Sequence, residues 1–306
     1  MNIMPWYYFT TPSERIYWVY LITSLLLALI LLIIENRTFP SSKTILAWLK
    51  HPDTRLDVVY FLVSWFIKML IIAPLLISAH AVTLFIYRYL SRWISPLENQ
   101  LSYTTLMVLY TLSLFIFSDF TRYWLHRFLH TNRFLWAFHK VHHSPECLNP
   151  LSFYRVHPVE NFLFGIRYAL SAGIVTGIFF TLFGMHFSLF TLLGANGVIV
   201  IFSALGANLR HSPVRLSYGK WLEYFFISPA QHQIHHSTRH MHYNYGGYLA
   251  IWDWLFGSLK RNEELKHPLQ FGLGYRQREK YDTILKLIIN PFKESVRLVK
   301  RYIHRS

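Results

Sequence analysis

The sequence predicts an all-α fold: a multi-pass transmembrane helical bundle of four to six membrane segments, capped by a cytosolic helical layer that holds a dimetal site. Three observations lead there. The 306 residues are 53% hydrophobic and 18% aromatic but only 15% charged, which is too apolar for an ordinary soluble chain of this size. Apolar runs occur near 17–34, 58–79, 104–124, 162–183 and 187–206, each close to the roughly 20 residues that cross about 30 Å of hydrocarbon. Finally, the 17 histidines are not scattered but gather at helical spacing.

The first run follows an aromatic segment containing Glu14 and Arg15, with no basic leader before it and no small-residue cleavage site after it. It therefore reads as a retained span rather than a signal peptide. The run from Asp57 to Leu90 is interrupted by Pro74 and His80, and fits either one tilted span or a span plus an interfacial helix. The runs 162–183 and 187–206 read as a tight hairpin turning near Gly184, Met185 and His186.

The formal charge is +15, and 16 of the 30 Lys and Arg residues lie in the last 100 positions. Positive-inside bias puts that basic segment in the cytoplasm, and with it the loop 125–161, which carries Arg127, Arg133, Lys140 and Arg155. A basic tail beside a bilayer faces lipid headgroups. Nucleic acid is not expected as a partner, because the aromatic residues that could stack bases sit within apolar runs. The single Cys147 excludes an intramolecular disulfide and a thiolate metal cage. Any metal must be held by nitrogen and oxygen.

The histidines supply the nitrogen. His126 and His130 stand in HRFLH, His139, His142 and His143 in HKVHH, and His232, His235 and His236 in HQIHH; His211 stands alone in NLRHSP. In a helix, positions i, i+3 and i+4 share a face, so each cluster presents two or three imidazoles in one direction. Asn132 is placed to cap a helix from Arg133 to His143, which Pro145 ends. Ser228, Pro229 and Gln231 supply the cap, first turn and capping box for the last cluster. At this histidine frequency one H-x-x-H-H is expected about 0.05 times per chain and two roughly once in a thousand chains, so repetition excludes chance. Eight or nine imidazoles exceed the needs of one ion and suit two, with four or five nitrogens each. Imidazole alone does not select among zinc, copper, iron and nickel. Iron is favoured by the setting: a lipid drawn from the bilayer offers C–H bonds, whose oxidation requires dioxygen and a redox metal.

Here the sequence resembles a known family. The blocks DFTRYWLHRFLH (119–130), FHKVHHSPECLNPLSFYRVHPVENF (138–162), NLRHSP (208–213) and HQIHHSTRHMHYNYGGYLAIWDWLFGSL (232–259) are similar to those of the fatty acid hydroxylase and sterol desaturase superfamily of integral-membrane di-iron oxygenases. The resemblance spans about 104–260. No internal repeat, low-complexity block or Gly/Ser linker divides the chain, which reads as one integral-membrane domain over 1–306 with a fatty acid hydroxylase-like catalytic region at 104–260 and a basic cytosolic tail at 261–306. The resemblance implies two iron ions in that region, cycling between Fe2+ and Fe3+, held by His126, His130, His139, His142, His143, His211, His232, His235 and His236, with O2 as co-substrate. Arg215 stands where some members carry a further histidine.

Asp119, seven residues before His126, Asp253 and His157 are candidates to orient the metal-bound imidazoles from behind; a helix cap or an ion pair with arginine is the competing role for the carboxylates, and pairing with Arg155 for His157. His240 and His242, in a turn-rich stretch, read as surface or substrate-entry residues, and His51, His80, His186, His267 and His304 as ordinary. The expected activity is hydroxylation of a lipid C–H bond in a fatty acyl chain, a sterol or a related lipid, with desaturation at the same site as the nearest alternative. A histidine-based metal transporter or a zinc-stapled membrane protein is the alternative from another class; it would need polar residues at mid-membrane. Electrons would come from a separate cytochrome b5-like or ferredoxin-like donor, and the lack of a fused one points to a bacterial inner membrane rather than the endoplasmic reticulum.

Overall fold

The computed structural model describes residues 4–35, 38–98, 101–184, 187–192, 195–265 and 267–303. The fold is helical, as the composition predicts. Helix α1 (Trp18–Ile34) is apolar throughout, and Ile22, Leu25, Leu26, Ile30 and Ile33 are each about half exposed or more. Large aliphatic residues facing outward on a bundle whose histidines are buried are what a lipid solvent demands. Among the described residues three stretches are long and apolar enough to cross a membrane: Pro52–Leu90, Tyr103–Thr131 and Pro158–Phe183. The protein is a membrane protein.

The ambiguous segment 57–90 is a broken helix. α2 (Pro52–Ile67) loosens into a π-turn at Lys68–Ile72, a short turn at Ala73–Leu75 follows, and the chain leaves helical geometry at Leu76 before Ser78 caps α3 (Ala79–Leu90). α3 packs closely along α6 (Pro158–Phe183). Glycines make this possible. A Cβ on Gly173 would lie 2.4 Å from the Cβ of Val82, and one on Gly177 2.7 Å from that of Ile86, the close approach that small-xxx-small spacing permits.

α4 (Tyr103–Thr131) runs about 43 Å at 1.5 Å per residue, so it crosses the bilayer and carries its last two turns, with His126 and His130, beyond the hydrocarbon. Asn132 ends it and caps α5 (Arg133–His143), its side-chain oxygen accepting from Phe134 and Leu135 N–H. The sequence-level cap is in place.

The run 187–206 departs from expectation. It is not a span: β1 (Thr191–Leu192) pairs antiparallel with β2 (Ala195–Asn196), and α7 (Gly197–Ala204) has only 8 residues, about 12 Å of rise against about 30 Å of hydrocarbon. Asn196 is the reason, because its side chain accepts from Val198 and Ile199 N–H and starts a new helix inside the apolar run. The proposed outer turn at Met185 and His186 lies outside the described residues, as does His304.

The cap is built from α5, α8 (Pro229–His236), α9 (Ile251–Leu255) and α10 (Ile284–Ile303), with 3-10 turns at Pro150–Tyr154 and Ala207–His211. Tyr60, Val141, Tyr281 and Leu287 form a buried cluster that joins α2, α5 and α10. Lys140 pairs with Glu294, fastening the metal-facing helix to the C-terminal one.

A candidate metal centre of nine buried histidines

The nine clustered histidines form two adjacent groups. His126, His130, His139, His143 and His235 make one; His142, His211, His232 and His236 make the other. Within each group the residues offer ligand atoms that all lie within 4.8 Å of one another. The division into five and four matches the nitrogen count that two ions need.

Helical geometry explains the partition. At 100° per residue, i+4 lies about 40° from i, whereas i+3 lies about 60° to the other side. In α5, His139 and His143 thus face one group and His142 the other. In α8 the same spacing is used in the reverse sense, with His232 and His236 in the second group and His235 in the first. Each H-x-x-H-H helix serves both groups, a finer result than three imidazoles in one direction. The rings of His143 and His236 stack across the divide with centroids 4.5 Å apart. α8 begins as predicted, with the Ser228–Gln231 capping box and Pro229 in its first turn.

The outer partners fix which nitrogen faces inward. His126 Nδ1 lies 2.8 Å from the Tyr245 carbonyl and His235 Nδ1 2.7 Å from that of Tyr243. A carbonyl can only accept, so both rings donate from Nδ1 and leave an Nε2 lone pair directed into the cluster. His211 Nδ1 lies 2.8 Å from Ser152 Oγ, and His139 Nδ1 2.9 Å from Glu160 Oε1, with both groups of that second pair buried.

The inward nitrogens crowd together. Nε2 of His232 is 3.0 Å from that of His211 and 3.2 Å from that of His236, and Nε2 of His126 is 3.2 Å from that of His139. His235 Nε2 and both nitrogens of His130 and His143 are buried without a hydrogen-bond partner. Each such orphan costs about 1–3 kcal/mol, and a cation among converging lone pairs removes that cost. Burial first, and neighbouring histidines second, hold His143, His211, His232, His235 and His236 well below the ordinary imidazole pKa. His142 is held down in the same way, by burial and then by His139 and His235. Burial takes His139 down to about 3. Neutral imidazole is the metal-binding form. The donor set fits a borderline metal such as zinc or iron.

The three proposed orienting residues are elsewhere. Asp119 accepts from the backbone of Tyr248 and Leu249 and from the Trp252 indole. Asp253 accepts from the Tyr245 and Gly246 backbone and from Ser258 Oγ; burial, against those three donors, pushes its carboxyl up to about 7. Both carboxylates grip the 245–252 loop rather than an imidazole, because bare loop N–H groups need acceptors more than a histidine that already has a carbonyl. His157 caps α6, its Nδ1 accepting from Val159 N–H and its Nε2 donating to the Ile288 carbonyl; it joins neither group and does not pair with Arg155. Arg155 instead pairs with Asp53 and Asp57. Among the described residues Glu160, in the first turn of α6, is the carboxylate that reaches a cluster histidine, and it lies 21 residues from His139 on a different helix, beyond any local sequence signal.

A cavity of about 330 Å³ opens on His126, His139, His142 and His232 and extends past Phe61, Trp65, Phe153 and Phe164.

Residues 111–258 match the fatty acid hydroxylase family model, a segment that contains all nine histidines. The match, just under half of the chain, supports the fatty acid hydroxylase and sterol desaturase superfamily. It is similar to an alkylglycerol monooxygenase of Danio rerio, 29% identical over 162 residues that make up 51% of this chain and 32% of the relative. It is similar to a lathosterol oxidase of Rattus norvegicus, 26% identical over 165 residues, or 54% of this chain and 48% of the relative. To a delta(7)-sterol 5(6)-desaturase of Aspergillus fumigatus it is 30% identical over 164 residues, covering 51% of this chain and 50% of the relative. The chain therefore spans about a third to a half of the length of these relatives. No solved structure matches it.

Proposed function

We propose that the protein is a di-iron, O2-dependent lipid hydroxylase, with His126, His130, His139, His143 and His235 holding one iron and His142, His211, His232 and His236 the other. The observation that carries this reading is the pair of buried imidazole groups with unpartnered nitrogens, four of whose members, His126, His139, His142 and His232, line a cavity with an apolar wall. Iron bound there supplies the redox chemistry needed to direct O2 at an unactivated C–H bond.

The remaining work belongs to the chain. The Tyr243 and Tyr245 carbonyls, Ser152 and Glu160 hold four imidazoles by their outer nitrogens, fixing their orientation. Phe61, Trp65, Phe153 and Phe164 exclude water and position a hydrocarbon chain against the histidine wall. In the balanced reaction one substrate C–H bond becomes C–OH and the second oxygen atom leaves as water. Two electrons and two protons are consumed, the electrons arriving one at a time from a separate cytochrome b5-like or ferredoxin-like protein. The basic C-terminal segment supports a cytoplasmic histidine face, where that donor would dock.

Removal of two hydrogens to form a double bond is the second reading, favoured by a relative whose name is desaturase. Product mass decides: gain of one oxygen for hydroxylation, loss of two hydrogens for desaturation. The purified protein is expected to bind two irons per chain and to consume O2 with a reductant and lipid, and His142→Ala to abolish turnover while the helical content persists. Full turnover by that variant overturns the ligand assignment.

A further inference from the structure

We propose that the cavity beside the histidines receives a lipid with an anionic head, a phosphate or a carboxylate, and that Arg122 is the main specificity-determining contact with that head. This rests on the oxygenase reading above, and it places the oxidised carbon near the head rather than at the chain terminus.

The cavity is cationic. Arg15, Lys68, Arg122 and Arg167 line it together with only two carboxylates, Glu14 and Glu160. Glu160 is committed to His139. Among the described residues none of the four cations has a carboxylate at ion-pair distance. Three have neutral partners instead: Arg15 donates to the Ala207 carbonyl at 3.3 Å and lies over the Phe153 ring, Lys68 donates to Tyr8 Oη at 3.2 Å, and Arg167 donates to the Ser118 carbonyl at 2.6 Å. Burial, with Arg210 next, pushes Arg15 down to about 9, as expected of a cation without a counterion.

Arg122 lacks even a neutral hydrogen-bond partner among the described residues; its guanidinium carbon stands 5.8 Å from the Tyr248 ring centroid. One turn before His126 on α4, it is on the same cavity as the histidine wall. Its stem is accommodated by a bare backbone: a Cβ on Gly247 would lie 2.7 Å from Arg122 Cδ and 2.6 Å from Asp119 Oδ1. Arg122 Nε would lie 3.0 Å from the same Cβ, so glycine at 247 lets the guanidinium lie against the loop backbone at the cavity. Asp119 and Glu160 feel its charge without pairing with it directly; a cation without a direct partner in a half-enclosed site is costly, and an oxyanion facing a planar fork of N–H donors relieves it.

The position of the cation locates the reaction. Arg122 and His126, one turn apart on α4, line the same cavity, so a head bound at Arg122 brings its nearby carbons to the histidines. Arg15 and Lys68 precede the segment 111–258 that matches the family model, so half of the cationic lining comes from outside that segment.

The test uses the full chain in phosphatidylcholine nanodiscs, titrated with oleoyl lysophosphatidic acid, oleate and monooleoylglycerol. The anionic probes are expected to bind at least about tenfold more tightly than the neutral one, and Arg122→Gln to weaken them by about ten- to a hundredfold without changing iron content, with Arg122→Lys recovering part of the loss. The two anionic arms tell phosphate from carboxylate. Equal binding of all three probes, or an unchanged preference in Arg122→Gln, overturns the proposal, and oxidation at the far end of the chain overturns the placement of the carbon. Tight anionic binding without oxidation by iron-loaded, reduced protein leaves the anion site standing and removes the oxygenase reading. Oxidation of neutral lipid that is indifferent to Arg122→Gln does the reverse.

Discussion

Asp253→Ala separates the stability of the metal centre from its affinity. Asp253 is buried and accepts from Tyr245 N–H at 2.8 Å, Gly246 N–H at 2.7 Å and Ser258 Oγ at 2.7 Å. Ser258 can turn to Tyr123 Oη, 3.0 Å away, but the two backbone donors have no other acceptor. At about 1–3 kcal/mol for each buried donor left unpaired, the variant loses about 2–6 kcal/mol of stability. The same peptide that loses its anchor carries the Tyr245 carbonyl that orients His126. Loss of an outer partner weakens metal binding about 10–100-fold. Asp119→Ala is the matched control, because it frees Tyr248 and Leu249 N–H, farther along the same loop, and should lower stability with a smaller effect on iron. Thermal unfolding in detergent gives the first quantity and chelator competition under anaerobic conditions the second. A destabilised Asp253→Ala that holds iron as tightly as the parent refutes the link from carboxylate to loop to imidazole.

Glu160→Gln should weaken iron in the five-histidine group about 10–100-fold and spare the other, so that chelator titration becomes biphasic; a single unchanged phase contradicts this. Gly177→Leu forces side chain into Ile86 Cβ at 2.7 Å and the Thr83 carbonyl at 3.0 Å, and should cost at least about 1–3 kcal/mol in unfolding measurements. His157 is held down to about 4 by burial, against its bond to the Ile288 carbonyl. As pH falls below the ordinary imidazole value of about 6.5, the unfolded chain takes up this proton first, so His157 favours folding above that pH and the advantage is lost on the way down to 4, roughly 3 kcal/mol in all. His157→Asn, which can still cap α6, should flatten that part of the pH–stability curve, and identical curves for the two proteins would dismiss the role.

What the sequence made legible was local. Asn132 and the Ser228–Gln231 box announced their helices because a cap is written within four residues, and eight of the nine histidines were visible because ligand spacing on a helix is also short; His211, which stands alone, entered through the family resemblance. The misread run 187–206 shows the limit of hydropathy: its apolar sum is that of a span, but Asn196 followed by Gly197 turns the chain, and one turn outweighs the sum. Outer partners were not legible for a different reason. Two are backbone carbonyls, which every residue possesses, and Glu160 meets His139 only after α5 and α6 have packed. The cationic cavity is likewise assembled from the N-terminal segment, α2, α4 and α6, so no window of sequence contains it.

The H-x-x-H-H spacing carries a consequence that spacing alone did not announce. Because i+3 and i+4 fall on opposite sides of i, a rigid helix with this motif spreads its imidazoles over about 100° and cannot converge all three on one ion without distortion. Two such helices facing each other resolve the mismatch by exchange, α5 giving two imidazoles to the first group and one to the second, α8 the reverse. The two groups then share both scaffolds and stand side by side, with the His143 and His236 rings stacked at 4.5 Å. Any displacement of α5, which α10 fastens through Lys140 and Glu294, moves ligands of both groups at once, and so the spacing between the two sites is a property of helix packing rather than of either histidine set.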